Sequence, residues 1–384
     1  MLAKDGKANS HAVGEDLTSA GALPVDGDSN GVVGSVDAVG DDTVDVLADG
    51  AAGRKKPRRI FRKILSIFAG VMLAVIIFSC VSPLPVSWLL RFAFKFPQLA
   101  PPLGYELIER SVGVISDVTY PSQYGRNTLD LYLPKKPKGE TPVIIWAHGG
   151  AFAGGDKTDV KYYATSLAAQ GYAVVTMNYS LVPEGRYPEP VLQVAEVCAW
   201  VDSVEDEYNL DTQNLVLAGD SAGAYMVAQF TLIQNSPQYE AICGIPASIE
   251  PERIRGVMLY CGPLDLEKTK NISFPISFFT NRVAWAYLGS YKWHEEYAEQ
   301  VSLKEHITSS FPPTFISDGN TLSFQEHGEQ FAELLRSKDV ETVSFFADEA
   351  EVKTFHEYQF KMDTPEGEEC YRLTSEFLRD LFAE

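Results

Sequence analysis

A serine lies at the centre of a small-residue turn at residues 219–223, GDSAG, which follows the apolar run LVLA. The pattern G-x-S-x-G between a buried strand and a helix is typical of a nucleophile elbow, whose sharp turn lifts the serine hydroxyl above the sheet. Gly219 and Gly223 stand two residues on either side of Ser221, where a Cβ would collide with the neighbouring strand and helix. The motif predicts that Ser221 attacks a carbonyl carbon. The alternative is an ordinary strand-to-helix corner.

A second glycine-containing stretch, HGGAF at residues 148–152, follows another apolar run. A glycine loop after a strand can bind an anion through its amides, but the stretch lacks the G-K-[ST] of a P-loop and the G-x-G-x-x-G of a dinucleotide site. An oxyanion hole fits better. The amides of Gly150, Ala151 and Ala222 could form it, and each such donor is worth roughly 100- to 1000-fold in rate. We expect His148 to hold the loop rather than to carry a proton.

The elements that must position these residues alternate along the chain from about residue 111. Two short strands at 114–120 and 127–133 are predicted to form an opening hairpin. Continuous apolar runs separated by helices indicate a mainly parallel sheet covered on both faces, with the active site at the carboxyl ends of the strands. The further predicted strands are 142–148, 172–179, 214–220, 255–262, 313–318 and 341–347, and the predicted helices are 158–170, 190–208, 221–234, 323–338 and 364–382.

Four stretches of residues 114–384 resemble the hormone-sensitive-lipase-like esterases of the α/β-hydrolase superfamily: HGGAFAGG, GDSAGA, MNYSLVPEGRYPEP and FHEYQF. The resemblance implies the α/β-hydrolase fold, with Ser221 as the nucleophile and a general base in the loop after the last strand. Of the six histidines, only His356 combines that location with the family's late histidine. The alternative for His356 is an ordinary loop histidine. Membrane-anchored bacterial hydrolases of this kind exist, so an N-terminal span agrees with the resemblance.

The acid that should orient the base is where the chain departs from the family pattern. The family places an aspartate in the turn after the 313–318 strand, but counting from the Pro-Pro pair at 312–313 without gaps arrives at Leu322. Asp318, at the end of that strand, is the first candidate. Asn320 could orient a histidine without supplying charge, and Glu326 and Asp265 are the reserves. Loss of a charged acid weakens such catalysis by orders of magnitude without abolishing it.

The stretch between residues 263 and 311 is long, rich in aromatic residues, and interrupts the alternation of strands and helices. We predict a lid or cap over the site that walls an apolar acyl or alcohol pocket. The alternative is a packed helical excursion without substrate contact.

The residues before the domain divide into four predicted segments. Residues 1–53 carry ten acids and two lysines, contain no aromatic residue, and should be a disordered acidic tail, or alternatively an interaction tail. Residues 54–63 form a basic flank of seven Lys and Arg residues. Residues 64–82 are nineteen uncharged residues and predict a transmembrane helix, and residues 83–110 predict an interfacial or linker segment. A buried core helix, a signal peptide and a lipid-attachment site at Cys80 are the alternatives for the span.

The basic flank orients the predicted span, because positively charged residues stay on the cytoplasmic side of a membrane. The tail should then be cytoplasmic and the catalytic domain extracytoplasmic, in a single-pass membrane protein whose partners include the lipid bilayer. Residues 64–384 carry a net charge of −19, which argues against nucleic-acid binding. The five cysteines include no C-x-x-C pair, so we expect no disulfide framework and no zinc site. Ester cleavage through a serine acyl-enzyme implies no metal and no cofactor. The sequence carries no signal for an oligomeric state.

The residues thus favour a serine hydrolase that cleaves small-molecule carboxylic esters through an acyl-enzyme. Two alternatives remain open at this point. One is a peptidase- or deacetylase-like hydrolase that uses the same atoms, with Glu184 or Glu189 as conceivable carboxylates for a substrate amino terminus. The other is a catalytically weak member of the fold that serves as a surface binding protein, which the absence of an acid at the expected position supports.

Overall fold

The computed structural model describes residues 56–95, 99–271, 274 and 276–383, so the predicted acidic tail at 1–53 lies outside the described residues. Residues 1–63 and 64–384 group as two units. Within the described part of the second unit, eight strands form one sheet in the order β1-β2-β4-β3-β5-β6-β7-β8. The strands are β1 (Val112–Thr119), β2 (Thr128–Pro134), β3 (Thr141–Ala147), β4 (Ala173–Met177), β5 (Leu210–Asp220), β6 (Ile254–Tyr260), β7 (Thr314–Asp318) and β8 (Thr342–Phe346).

In this spatial order, neighbouring strands are parallel from β4 to β8. Strand β2 pairs antiparallel with both of its neighbours, β1 and β4. Every residue of β4 and β7 is buried, as expected for strands of a parallel sheet whose two faces are both covered. Two clusters of buried apolar side chains lie against the sheet, one containing Ile145 and Leu217 and the other containing Ile144 and Val216. The alternation of neighbouring residues between clusters shows a core on each face.

The helices connect the strands and cover both faces. One predicted helix, 190–208, is split, because Val204 leaves helical geometry between two helices, and β5 begins four residues earlier than predicted. In the described ranges the helices are α1 (Lys56–Val81), α2 (Leu84–Ala93), α3 (Tyr105–Arg110), α4 (Lys161–Ala169), α5 (Glu189–Ser203), α6 (Glu205–Tyr208), α7 (Ala222–Asn235), α8 (Pro237–Cys243), α9 (Ile276–Leu288), α10 (Trp293–Glu296), α11 (Ala298–Val301), α12 (Gln325–Ser337) and α13 (Pro365–Leu381).

Helix α1 contains the apolar segment Ile60–Val81, whose 22 residues make it long and apolar enough to cross a membrane. At a rise of 1.5 Å per residue, this segment is about 33 Å long, against a hydrocarbon core of about 30 Å. Its length and composition are those of a membrane span or of a signal sequence. Almost all of its side chains are exposed, which distinguishes it from a core helix.

The predicted lid segment is a run of short helices between β6 and β7, with α9 as its longest described member. Helix α9 packs against α2, so the chain between β6 and β7 and the segment just after α1 meet. Phe152 of the glycine loop stacks on Tyr287 of α9, with 3.8 Å between ring centroids. These contacts place α2 and α9 beside the carboxyl ends of β3 and β5.

Candidate active site

Ser221 lies at the sharp turn between β5 and α7, with backbone angles φ 50° and ψ −116°. The backbone amide of Ser221 donates a hydrogen bond of 2.8 Å to the carbonyl oxygen of Tyr260 on the neighbouring strand β6. A Cβ at Gly219 would overlap the backbone of Gly223, and one at Gly223 would overlap the carbonyl oxygen of Ala147. Glycine at both positions thus allows the strand, the turn and the helix to approach closely enough for the strained serine conformation.

His356 lies in the loop between β8 and α13, and its Nε2 is 2.9 Å from the Oγ of Ser221. The two residues are 135 positions apart in the chain and meet at the carboxyl edge of the sheet. The distance is that of a hydrogen bond between a nucleophile and its general base. Phe324 packs edge-on against the imidazole, with 5.6 Å between ring centroids, and restricts its rotation.

The other imidazole nitrogen contacts a serine instead of a carboxylate. His356 Nδ1 is 2.7 Å from the Oγ of Ser323, and the Ser323 hydroxyl donates a hydrogen bond to Oδ1 of Asp318. The amide of Phe324 donates a second hydrogen bond of 3.2 Å to the same carboxylate oxygen. Asp318, the first candidate from the sequence, is therefore connected to His356 through Ser323, which sequence analysis missed.

When Asp318 is ionised, these contacts fix the direction of each hydrogen bond. A serine hydroxyl has one proton, so Ser323 can donate to Asp318 only if it accepts from Nδ1–H of His356. The neutral imidazole then carries its proton on Nδ1 and leaves Nε2 as the acceptor for the hydroxyl proton of Ser221. The array Ser221–His356–Ser323–Asp318 thus holds the tautomer that a general base requires.

The remaining acid candidates lie elsewhere. Asn320 joins two loops, because its side chain donates to the carbonyls of Ala347 and Val352 at 3.1 and 2.9 Å. Glu326 is exposed on α12, where its carboxylate accepts from Gln330 at 2.8 Å. Buried Asp265 forms an ion pair of 2.5 Å with Lys304. In these positions each side chain has a structural partner of its own.

The glycine loop at residues 148–152 is bent by three consecutive positive φ angles, 110° at Gly150, 53° at Ala151 and 55° at Phe152. A Cβ at Gly150 would overlap the carbonyl of Gly154, so the loop depends on glycine there. Among the described residues, no acceptor is found for the amides of Gly150, Ala151 and Ala222. Ala151 and Ala222 line the cavity that contains Ser221, and Gly150 lines the adjoining cavity. His148 is buried and stacks on Tyr179, which agrees with a structural role.

A pair of carboxyl groups, Asp220 and Glu357, lies next to the glycine loop, and sequence analysis missed this pair as well. Asp220 accepts hydrogen bonds of 2.7 Å from Trp146 Nε1 and from the amide of Gly149. Burial and the adjacent Asp220 carboxylate raise the pKa of Glu357 well above its usual range, because two buried carboxyls in contact cannot both ionise. Glu357 therefore carries the proton that the pair shares. The only sequence signal was position, since Asp220 precedes Ser221 and Glu357 follows His356.

Burial moves the pKa values of His356 and Asp318 in opposite directions. It lowers the pKa of His356 to about 4, since removal from water disfavours the imidazolium. It raises the pKa of Asp318 to about 7, although the hydrogen bonds from Ser323 and Phe324 favour the carboxylate. His356 is consequently neutral at neutral pH, as a general base would have to be, and Asp318 is near its midpoint.

Two cavities meet at His356 and Phe94. One has a volume of about 300 Å³, contains Ser221, and is lined by apolar side chains of α2, α9 and the turn after β7. The other has a volume of about 560 Å³ and a mixed lining, in which Asp159, Glu357 and Lys361 lie among apolar side chains. An ester with its carbonyl carbon at Ser221 would extend into an apolar space on one side and a space that offers polar groups on the other.

Ligand atoms of Cys261, Asp318 and His356 lie within 4.8 Å of one another, as in some metal sites. Burial raises the pKa of the Cys261 thiol well above its usual range, whereas a thiol must ionise to bind a metal. The imidazole already has a hydrogen-bond partner at each nitrogen. The arrangement suits a hydrogen-bonded array better than a metal centre.

The parallel sheet with its strand-to-helix elbow and glycine loop defines the α/β-hydrolase fold. The BD-FAE family model matches residues 129–326, and the chain belongs to that family. The resemblance to α/β-hydrolase esterases predicted from the four stretches is confirmed.

Two proteins to which the chain is similar in sequence are named esterases. The chain is 28% identical over 210 residues to Esterase LipC of Mycobacterium tuberculosis, covering 53% of this chain and 50% of that protein. It is 35% identical over 107 residues to an acetyl esterase of Salmonella schwarzengrund, covering 28% and 32%. The match to LipC thus spans half the length of that relative.

Two solved structures with the same fold are described as esterases. Esterase B from Lactobacillus Rhamnosis superposes with a TM-score of 0.62 at 19% identity, covering 85% of this chain and 96% of that one. The structure described as Bacterial Heroin Esterase superposes with a TM-score of 0.57 at 20% identity, covering 71% and 86%. At this identity the superpositions show the common fold.

Proposed function

We propose that the protein is a carboxylic ester hydrolase that forms an acyl-enzyme on Ser221. The observation that carries the proposal is the 2.9 Å contact between His356 Nε2 and the Oγ of a serine at a strained elbow. The esterase relatives support it, as does a structure of Esterase B inhibited by a tributyrin phosphonate, which superposes with a TM-score of 0.62.

In the first step, Ser221 Oγ attacks the ester carbonyl carbon while His356 Nε2 takes the hydroxyl proton. Negative charge develops on the carbonyl oxygen, and the amides of Gly150, Ala151 and Ala222 donate hydrogen bonds to it. Asp220 fixes the glycine loop through the amide of Gly149, which limits movement of these donors during the reaction.

His356 becomes an imidazolium in this step, and its stabilisation is the role of Ser323 and Asp318. The Nδ1–H of His356 donates to Ser323, whose hydroxyl donates to the Asp318 carboxylate, so the positive charge on the ring is balanced through one intervening hydroxyl. His356 then gives its proton to the leaving alcohol. Water attacks the acyl-enzyme by the same route and releases the acid.

A peptidase-like function has less support from the described contacts. Glu184, one of the conceivable carboxylates for a substrate amino terminus, accepts two hydrogen bonds from the guanidinium of Arg91, at 2.9 and 2.6 Å. An amino terminus would have to displace this bidentate ion pair. The apolar cavity at Ser221 instead favours an acyl chain.

The decisive test compares the wild type with Ser221→Ala in two assays. Hydrolysis of 4-nitrophenyl butyrate should be abolished by the substitution, and covalent labelling by a fluorophosphonate probe should be lost with it. A protein that neither hydrolyses the ester nor reacts with the probe would be a binding member of the fold. Equal rates in the wild type and the variant would place the activity outside Ser221.

We further propose that α1 anchors the enzyme in a membrane, with the catalytic domain on the extracytoplasmic side. The apolar segment Ile60–Val81 and the basic residues at 54–63 before it support this orientation. Protease added to intact cells or spheroplasts should digest the catalytic domain and spare an epitope tag placed at residue 1. Protection of the catalytic domain would contradict the orientation.

A further inference from the structure

The segment that joins the apolar helix to the hydrolase domain forms part of the active-site wall. Helix α1 ends at Val81 and α2 begins at Leu84, so only Ser82 and Pro83 separate them. Helix α2 buries Val86 and Ser87. Leu90 on α2 and Phe94 just after it line the apolar cavity that contains Ser221.

Two arginines connect this segment to the residues around the cavity. The Arg91 guanidinium donates to the carbonyl oxygen of Ala153, next to the glycine loop, at 3.0 Å, in addition to its ion pair with Glu184. Arg282 of α9 donates to the carbonyl oxygen of Ser79 in the last turn of α1 at 2.6 Å. Such carbonyls lack partners within the helix, and a positive charge is favoured at that end. The end of α1 therefore has a fixed position relative to α9, a wall of the cavity.

The opposite face of α2 presents large apolar side chains to the surroundings. Trp88 is 53% exposed and Leu89 is 55% exposed. Leu322 lines the same cavity and is 71% exposed. The cavity therefore opens to the surface beside an exposed apolar side chain. Aromatic and aliphatic residues with an arginine nearby are typical of the membrane–water interface.

We propose that the α2 rim, formed by Trp88 and Leu89, docks on the bilayer in which α1 is anchored, and that the substrate is an ester held in the same leaflet. Its apolar acyl chain would enter the cavity between α2 and α9, and its polar alcohol would occupy the adjoining cavity beside Glu357 and Lys361. We assign the bilayer as the partner of the rim because the chain is continuous here. Only two residues separate the end of a membrane-length helix from α2, which is held against the site. This inference rests on the proposed ester hydrolysis and on the proposed anchoring of α1 in a membrane.

The test uses the full chain reconstituted in phosphatidylethanolamine–phosphatidylglycerol vesicles and two substrates. One substrate is 4-nitrophenyl acetate in solution, and the other is 4-methylumbelliferyl oleate incorporated in the vesicles. The double variant Trp88→Gln/Leu89→Gln removes apolar contact with the bilayer. We expect it to lower the rate on the vesicle ester by about tenfold, since a loss of roughly 1.4 kcal/mol corresponds to that factor. Its rate on the soluble ester should stay within about twofold of the wild type.

The control is Val114→Gln, a similar apolar-to-polar change on β1, where Val114 is 46% exposed and lies outside both residues 83–110 and the cavity linings. The control should leave both rates unchanged. An unaltered vesicle rate in the rim variant, or an equal loss in the control, overturns the inference. An equal loss on both substrates in the rim variant also overturns it, because α2 would then act only as a structural wall. Failure of the proposed function is separate, since the wild type would then not hydrolyse the soluble ester, or Ser221→Ala would retain that activity.

Discussion

The two sides of the imidazole of His356 differ in how they are built. On the Nε2 side, Ser221 is held by a strand, a turn and a helix whose glycines permit one close packing. On the Nδ1 side, a loop residue, Ser323, stands between the ring and Asp318, and the loop is tied by side-chain hydrogen bonds such as those of Asn320. The nucleophile side depends on backbone geometry, whereas the acid side depends on a chain of side-chain contacts.

This difference indicates which side tolerates variation. Displacement of the serine at the elbow would require a new backbone, because neighbouring carbonyls occupy the space around both glycines. The acid side needs only an acceptor for Nδ1–H that a negative charge polarises. A hydroxyl that accepts from Nδ1–H and donates to a carboxylate meets this need. Variation at the acid position is therefore compatible with an intact elbow.

The largest effect should come from the nucleophile side. Ser221→Ala removes the attacking atom, and kcat for 4-nitrophenyl butyrate should fall by about 10⁴-fold or more. Labelling by a fluorophosphonate probe should disappear in the same variant. Ser203→Ala, a change at an exposed serine at the end of α5, is the control and should keep both signals. Persistent labelling after Ser221→Ala would show that another residue reacts.

The next largest effect should come from Asp318→Asn. This variant removes the charge that stabilises the imidazolium, and its amide can donate to Ser323 and so reverse the hydroxyl and the tautomer. We expect a loss in kcat of about 1000-fold with little change in KM. Glu326→Gln neutralises an exposed carboxylate nearby and should change kcat by less than about twofold. Similar losses in the two variants would contradict the role of Asp318.

Ser323→Ala should have a smaller effect, a loss in kcat of about 10- to 100-fold, because water could partly replace the hydroxyl. Asp318 and Ser323 act in series, so the double variant should be no slower than Asp318→Asn alone. A double-mutant cycle on kcat measures this coupling. Additive losses would mean that the two side chains act on His356 independently.

The smallest effect concerns pH. The Asp318 pKa of about 7 lies above that of an ordinary aspartate, so its negative charge is present above pH 7 and lost below it. The His356 pKa of about 4 keeps the base neutral throughout this range. We expect kcat to fall about tenfold from pH 8 to pH 6.

Asp318→Asn distinguishes the source of this decline. The fall near pH 7 should vanish in that variant and leave a single acid limb near pH 4, from His356. Burial also raises the pKa of two other groups at the site, Asp220, within its pair with Glu357, and Asp159, whose pKa is raised to about 6. A decline near pH 7 that persists in Asp318→Asn would assign it to one of these groups.

The sequence by itself determined the features that depend on local backbone geometry and on the period of apolar residues. Continuous apolar runs separated by helices predicted the parallel sheet, and the spacing of glycines around Ser221 predicted the elbow between β5 and α7. Such patterns are local because steric limits act between near neighbours in the chain. The location of His356 after the last strand came from a resemblance and the order of elements.

Only the tertiary structure decided which polar atoms meet. Ser323 reaches His356 across 33 positions, and Arg91 reaches Glu184 across 93, in contacts that no local pattern records. The same holds for the pair Asp220 and Glu357, and for α2, whose composition predicted an interfacial or linker segment but whose packing makes it a wall of the cavity. These outcomes depend on how loops converge at one edge of the sheet, because the energy of a side-chain contact is set by distance in space rather than by separation along the chain.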